Sequence, residues 1–379
     1  MKILAIYFQS GSGISIIYER IFCELAKVAE VDVLSDHAPK PHLKNIRNQY
    51  YLPYGKIKQS LYRKMLRWMG KAPLSERWSR RAAEIVADDY DVIIAFTASS
   101  QLTPMICGKH LSQKLGCKLA IYSVDAIPAP GGWTKPREYK GKLQVVSACL
   151  AAADYVASSN RHMLEFQLTT FKHKEGLQTG VLLTPSPNAN FINPISTENV
   201  ILYTGTLYGL RNPDHILKAF KRLLTVYPDA QFIFVGMKMK MKRINSILND
   251  EERKHIHIIP HTLDLNPLFS RAKVLVDIDA DREKDPFLSS KIVTYIKTNR
   301  MIICETGHDT PSRELLAGYN TIIQCDHNAD SLYDGLIRAM DMASTEQDYS
   351  ERAPLIKAFS IEHVSSLFWK DLQHLCAKE

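Results

Sequence analysis

The sequence predicts an α/β protein made of two doubly wound parallel sheets, and three observations carry that prediction. Short apolar runs alternate with helical patterns along the whole chain. A stretch rich in Pro, Asn and Ser interrupts the alternation near the middle. The length, 379 residues, is large for one core and ordinary for two.

Residues 3–8 read as a first strand, 9–13 as a glycine-containing turn and 14–29 as a helix. Further strands are expected at 30–34, 91–96 and 118–123, a helix around 145–153, and a strand ending at 156–159. Residues 182–190 read as loop and linker. Beyond them, strands at 200–204 and 231–235 each end in a glycine, Gly205 and Gly236, on either side of a helix over 213–227. Strands at 257–259, 274–278, 301–304 and 321–323 complete the second block. Such alternation implies parallel sheets covered by helices on both faces. The expected domains are 1–185 and 198–358, facing a central cleft, with ligands beyond the carboxyl ends of the strands. Residues 359–379 begin an amphipathic helix near Ser360.

Composition narrows the class. The chain is 45% hydrophobic and 23% charged, an ordinary globular balance with no case for disorder. Its net charge of +8 favours an anionic partner without choosing between phosphates, nucleic acid and a membrane surface. Seven cysteines at irregular spacing, with no CxxC pair, read as reduced thiols. The opening apolar run is too short for a signal peptide, and no run approaches the ~18 apolar residues of a membrane span. A cytoplasmic protein is expected. No zinc-like Cys/His spacing, P-loop or GxSxG elbow is present.

Two segments invite a phosphate. In Tyr203-Thr204-Gly205-Thr206-Leu207-Tyr208-Gly209-Leu210-Arg211-Asn212-Pro213, a strand enters a glycine turn and then an arginine precedes a helix. Glycine allows close backbone approach, a helix start offers free N–H groups, and Arg211 can grip phosphate oxygens. The competing reading is an ordinary strand-turn-helix with a solvated arginine. In Asp281 to Ile296, a charged loop meets Ser289 and Ser290 at an expected helix start, with Lys291 next. A lysine there opposes the helix dipole unless an anion binds; the alternative is a solvated first-turn lysine.

These two segments resemble the retaining GT-B glycosyltransferases of family 4, enzymes of capsule, lipopolysaccharide and exopolysaccharide synthesis. The likeness follows the order of elements over nearly the whole chain and is most specific in the C-terminal half. It implies a hexose-type sugar moved from a UDP- or GDP-linked donor to a glycan or lipid-linked acceptor. It also implies no cofactor, no metal requirement and a C-terminal helix that crosses back to the N-terminal domain. By resemblance, Gly205, Thr206, Arg211, Ser289, Ser290 and Lys291 would hold the donor phosphates. His261 and Leu263 would meet the nucleobase. The family's paired glutamates fall on Pro286 and Thr294 here, so Asp285 or Glu283 would supply the missing carboxylate and Thr294 stands at the ribose. Asp125, just after a strand end, resembles the acid or histidine beside the donor sugar, in a catalytic role. Gly11, Ser12 and Gly13 resemble the first-strand glycine loop. Two alternatives share the fold: a nucleotide-sugar 2-epimerase and a non-catalytic sugar-nucleotide-binding subunit.

The segment 56–81 carries nine basic residues against Glu76, with apolar residues at helical spacing. It reads either as a peripheral contact with an anionic membrane, at the inner face of the cytoplasmic membrane, or as a core-facing helix with a solvated outer side. Nucleic acid is not among the expected partners.

Overall fold

A computed structural model describes residues 1–8, 14–54, 69–98, 101–186, 191–237, 241–262 and 264–377. The chain divides into two compact units, Met1–Pro185 with Phe359–Glu379, and Ser186–Ala358.

The first unit holds a seven-stranded parallel sheet. Its strands are β1 (Lys2–Tyr7), β2 (Glu30–Ser35), β3 (Asn48–Tyr51), β4 (Val92–Thr97), β5 (Lys118–Ser123), β6 (Tyr155–Ser158) and β7 (Gln178–Val181), in the order β3-β2-β1-β4-β5-β6-β7. Alternate residues of β1 serve opposite cores: Leu4 and Ile6 on one face, Ile3, Ala5 and Tyr7 on the other. A strand buried on both sides must be apolar throughout, which is why this run is legible in the sequence.

Two strands escape the sequence reading, β3 and β7, and both lie at sheet edges. Their residues are polar and half-exposed, so no apolar run marks them. β3 is held to β2 by a buried polar knot. The Asp32 carboxylate accepts from Arg47 Nη2 at 2.6 Å and from Tyr90 Oη at 2.7 Å. The helix expected over 14–29 spans Ile14–Leu25, and turns carry the chain into β2. The helix expected around 145–153 begins earlier, at Pro136, and ends at Leu150. Proline suits a first helical position because its missing N–H has no partner there.

The C-terminal helix Ile361–Cys376 starts at Ser360, whose side chain accepts from the His363 amide. Ile361, Val364, Phe368, Leu372 and Leu375 recur at helical spacing and join the core formed by Ile3, Ala5, Tyr7 and Tyr122. Phe368 stacks on Tyr155 with ring centroids 5.9 Å apart, and Tyr155 Oη donates to Asp371 Oδ2 at 2.6 Å.

The second unit is a six-stranded parallel sheet. Its strands are β8 (Val200–Thr204), β9 (Gln231–Val235), β10 (Ile256–Ile259), β11 (Ala272–Ile278), β12 (Met301–Glu305) and β13 (Ile322–Cys325), in the order β10-β9-β8-β11-β12-β13. The helices Asp214–Leu223 and Ala329–Met342 cover one face, burying Ile216, Phe220, Leu332 and Leu336 against Ile201, Tyr203 and Val276. No described helix is long and apolar enough to cross a membrane.

Candidate nucleotide-sugar site

The strand order of the second sheet creates a crevice. From β8 the chain winds outward through β9 and β10, then returns beside β8 as β11 and winds the other way through β12 and β13. The loops after β8 and β11 therefore leave in opposite directions, and a ligand fits between them. Gly205 follows β8, and Asp277 and Asp279 mark the end of β11.

Asp277 is fully buried. Its Oδ1 accepts from Ser289 Oγ at 2.8 Å and from Lys291 Nζ at 3.2 Å. The same ammonium lies 3.2 Å from Ser289 Oγ and 5.1 Å above the Tyr203 ring. Gly205 faces this lysine. A Cβ at position 205 would come within 3.3 Å of Lys291 Cε, and the backbone there has φ +107°. Glycine meets both demands, since it has no side chain and adopts positive φ freely.

Arg211 completes the group. Its guanidinium stands 5.0 Å from the Tyr208 ring centroid. Burial works against its charge, but Tyr208, Asp277 and Asp279 outweigh burial and raise its pKa. Asp279 responds in the opposite way. Burial, and then the charge of Asp277, push its carboxyl up to about 7, against the pull of Arg211 and Lys291. Asp277 Oδ2 and Asp279 Oδ2 are buried with no hydrogen-bond partner. Two cations thus share the crevice with two carboxylates, one of which gains a proton near neutrality. As Asp279 takes up its proton, the charge balance of the crevice moves toward the two cations, and the crevice suits an anion.

The structure thus brings Gly205, Arg211, Ser289 and Lys291 together. Ser289 and Ser290 do not cap a helix, however. The following helix, Ile292–Tyr295, has Lys291 at its N-cap in helical backbone geometry. The Ser289 hydroxyl is drawn instead to the buried Asp277 carboxylate, which needs donors. Ser290 is exposed. Thr206 is exposed too, and its hydroxyl donates to the Gly236 carbonyl at 3.2 Å, joining the ends of β8 and β9. A side chain at Gly236 would lie 3.6 Å from His261, an exposed residue after β10.

Thr294 sits within the short helix, its amide 2.9 Å from the Lys291 carbonyl. Asp285 is buried; its amide donates to the Asp309 carbonyl at 3.3 Å, and its carboxylate accepts from the Phe287 amide at 3.3 Å. Both groups help shape the 281–309 loops. Leu263, Gly11, Ser12 and Gly13 lie outside the described residues.

In the first unit, Asp125 follows β5 in a half-buried turn. Its amide donates to Ser123 Oγ at 3.3 Å and its carbonyl accepts from the Ser123 hydroxyl. Its charge acts on the buried Tyr18 phenol, which burial first, and Asp125 second, push well above the ordinary range.

Sequence reasoning passed over Asp277, Asp279 and Tyr295. The signal was present: two aspartates close an otherwise apolar strand, and a buried carboxylate needs a reason. Tyr295 Oη accepts from the Thr204 amide at 2.9 Å, fixing the end of β8 to the segment that carries Lys291. A second polar cluster, His215, Glu305 and His327, lies on the same carboxyl edge of the sheet. The hydrogen bond to Glu305 raises the His215 pKa; for His327 the same carboxylate overcomes the opposing effect of burial.

Residues 186–283 match the family model described as glycosyl transferases group 1. Comparison with curated proteins finds no match. Among solved structures, the chain is similar to HepE of Anabaena in complex with UDP, at 14% identity and a TM-score of 0.67, over 99% of this chain and 100% of that one. It is also similar to the lipopolysaccharide outer core galactosyltransferase WaaB, at 13% identity and a TM-score of 0.64, over 99% of each chain. The UDP-GlcNAc 2-epimerase of Neisseria meningitidis, bound to UDP-GlcNAc, aligns at 13% identity and a TM-score of 0.58, over 99% of this chain and 100% of that one. The chain therefore has the GT-B fold, and its second unit carries a segment that matches the group 1 glycosyl transferases.

Proposed function

We propose that this chain is a glycosyltransferase of the retaining, family 4 type. It moves a hexose-type sugar from a UDP- or GDP-linked donor to a glycan or lipid-linked acceptor in surface polysaccharide synthesis, with no metal requirement. The observation that carries the reading is the convergence of Gly205, Arg211 and Lys291 at the switch point between β8 and β11. The donor diphosphate would lie there, on the Gly205 backbone, with Arg211 and Lys291 facing its oxygens. In the reaction, the bond between the anomeric carbon and the β-phosphate oxygen breaks, and an acceptor oxygen bonds to that carbon. The acceptor hydroxyl passes its proton to the departing β-phosphate oxygen, and the two cations stabilise the charge growing on the leaving diphosphate. His261 is assigned to the nucleobase side, beside Gly236, and Asp125 to the sugar and acceptor.

A peripheral membrane contact accompanies this reading and suits a lipid-linked acceptor. The helix Pro73–Ile85 buries Trp78, Ser79 and Ala82 and leaves Arg77, Arg80 and Arg81 exposed. Residues 56–68 of the same basic segment lie outside the described residues.

The test incubates pure protein with labelled UDP- and GDP-sugars, with and without lipid-linked acceptors, after a melting-temperature screen with UDP and GDP. Glycosylated acceptor supports the proposal. Sugar isomerisation without acceptor would make the chain an epimerase, and binding without turnover a non-catalytic subunit. No thermal response to either nucleotide would remove the site itself.

A further inference from the structure

We propose that His215, Glu305 and His327 form a binding site for one divalent transition-metal ion of the zinc class, separate from the crevice assigned to the donor phosphates. The three residues come from distant parts of the chain, so no short ligand motif betrays them. His215 lies in the first turn of the helix Asp214–Leu223, Glu305 ends β12, and His327 stands between β13 and the helix Ala329–Met342.

The geometry is that of a ligand shell. Both imidazole Nδ1 atoms converge on one oxygen, Glu305 Oε1, from 3.0 and 3.2 Å. One ligand atom from each residue lies within 4.8 Å of the other two. Ligands held ~2.0–2.2 Å from a tetrahedral zinc ion stand ~3.3 Å from one another. The two nitrogen–oxygen separations are thus close to that spacing, and an ion entering the cluster would replace the two hydrogen bonds to Glu305.

The polar accounting points the same way. The Glu305 side chain is 1% exposed, and its Oε2 is buried with no hydrogen-bond partner. His327 Nε2 is also buried without one. A buried carboxylate with one oxygen doubly engaged and the other empty is unusual and costly. A bound cation would neutralise this carboxylate, and two-oxygen coordination by Glu305 would also bring the unpartnered Oε2 into the shell. Two imidazoles and a carboxylate are a donor set favoured by zinc and its neighbours, and three protein ligands leave a fourth position for water or another oxygen. Asp281 adds negative charge in the neighbourhood.

The ion would clip together a helix start, a strand end and the loop before a second helix. It would steady the Arg211 loop, which leads directly into the helix bearing His215, and the Glu305 carbonyl already accepts the Asp279 amide at 2.9 Å. Its part is to hold the carboxyl edge of the sheet, and the transfer reaction is not routed through it.

The full-length chain is stripped with EDTA, dialysed and loaded with cobalt(II), whose visible d–d absorption reports tetrahedral nitrogen and oxygen ligands. Metal content is measured on the same samples. The expected result is one cobalt per chain with tetrahedral bands, displaced by zinc, and binding at least ~10-fold weaker in His215→Gln and in His327→Gln. In parallel, zinc and magnesium are added to the stripped wild-type protein during thermal unfolding; zinc raises the melting temperature and magnesium does not. The proposal is overturned if the wild type retains no cobalt above the blank. It is equally overturned if folded variants bind cobalt as the wild type does, or if zinc leaves the wild-type melting temperature unchanged.

Discussion

Lys291 Nζ lies 3.2 Å from Asp277 Oδ1, inside a crevice where the carboxylate is wholly buried. The lysine therefore already has an anionic partner within the fold. Replacing it by Met leaves Asp277 with only Ser289 as a donor, so Lys291→Met should destabilise the protein by ~2–4 kcal/mol. The double variant Lys291→Met/Asp277→Asn should recover at least half of that loss, because it removes the stranded charge. A thermal-unfolding double-mutant cycle measures the coupling; additive effects would show that the pair does not interact.

Arg211→Ala should weaken binding of the correct nucleotide by roughly 10-fold or more, since a charge-assisted grip on phosphate is lost. The same change uncovers Asp277 and Asp279, so some stability should go with it. Isothermal titration with UDP and GDP separates the two effects, and an unchanged affinity would end the assignment of Arg211 to the phosphates.

Asp279 makes stability depend on pH. Its folded pKa lies above the unfolded value, so the folded state binds the proton more tightly. The resulting stability is complete below the unfolded pKa of ~3.9 and is lost as pH rises through about 7. Asp279→Asn removes this dependence. The melting temperature of the wild type relative to Asp279→Asn should fall between pH ~5 and pH ~8, corresponding to a relative loss of ~2–4 kcal/mol. Parallel curves across that window would contradict the reading.

Gly205→Ala should be disproportionately harmful for one added methyl group. The φ of +107° strains any L side chain, and the new Cβ meets Lys291 Cε at 3.3 Å. A loss of ~1–3 kcal/mol is expected, together with weaker nucleotide binding as the lysine is displaced. Chemical denaturation and nucleotide titration of the same variant check both.

Phe368→Ala should cost ~3–5 kcal/mol, because its ring packs among Phe96, Tyr122 and Tyr155 in a closed core. Urea unfolding measures this, and a loss below ~1 kcal/mol would mean that the C-terminal helix is only loosely docked.

What was legible in the sequence follows from burial. β1, β4, β8 and β11 are covered on both faces, so their apolar runs announce themselves, and the two-sheet fold class is readable from them. β3 and β7, at the edges, have half-exposed polar residues and leave no such trace. In the site, Gly205 and Arg211 were readable because a strand, a glycine and a cation adjoin one another in sequence. Their opposing carboxylates were not, although Asp277 and Asp279 break an apolar strand. The partner of Lys291 lies 14 residues away, and only the fold brings the two together. The serines read as a cap because their residue type suits that role as well as the bond Ser289 makes to Asp277. His215, Glu305 and His327 are joined only by the convergence of three strand and helix ends.

The placement of the helix Ile361–Cys376 against the first sheet has a consequence for biosynthesis. Every strand of that sheet has been made by Val181, yet the surface around Tyr122 and Tyr155, only partly covered by the helix Ile14–Leu25, receives the rest of its cover when Phe368 arrives. At ~5–20 residues per second, translation leaves that surface open for ~10–40 s while the entire second sheet is synthesised. The later-made half can therefore reach its native form before the earlier one, and nascent chains stalled ahead of Ile361 should be the ones that recruit chaperones.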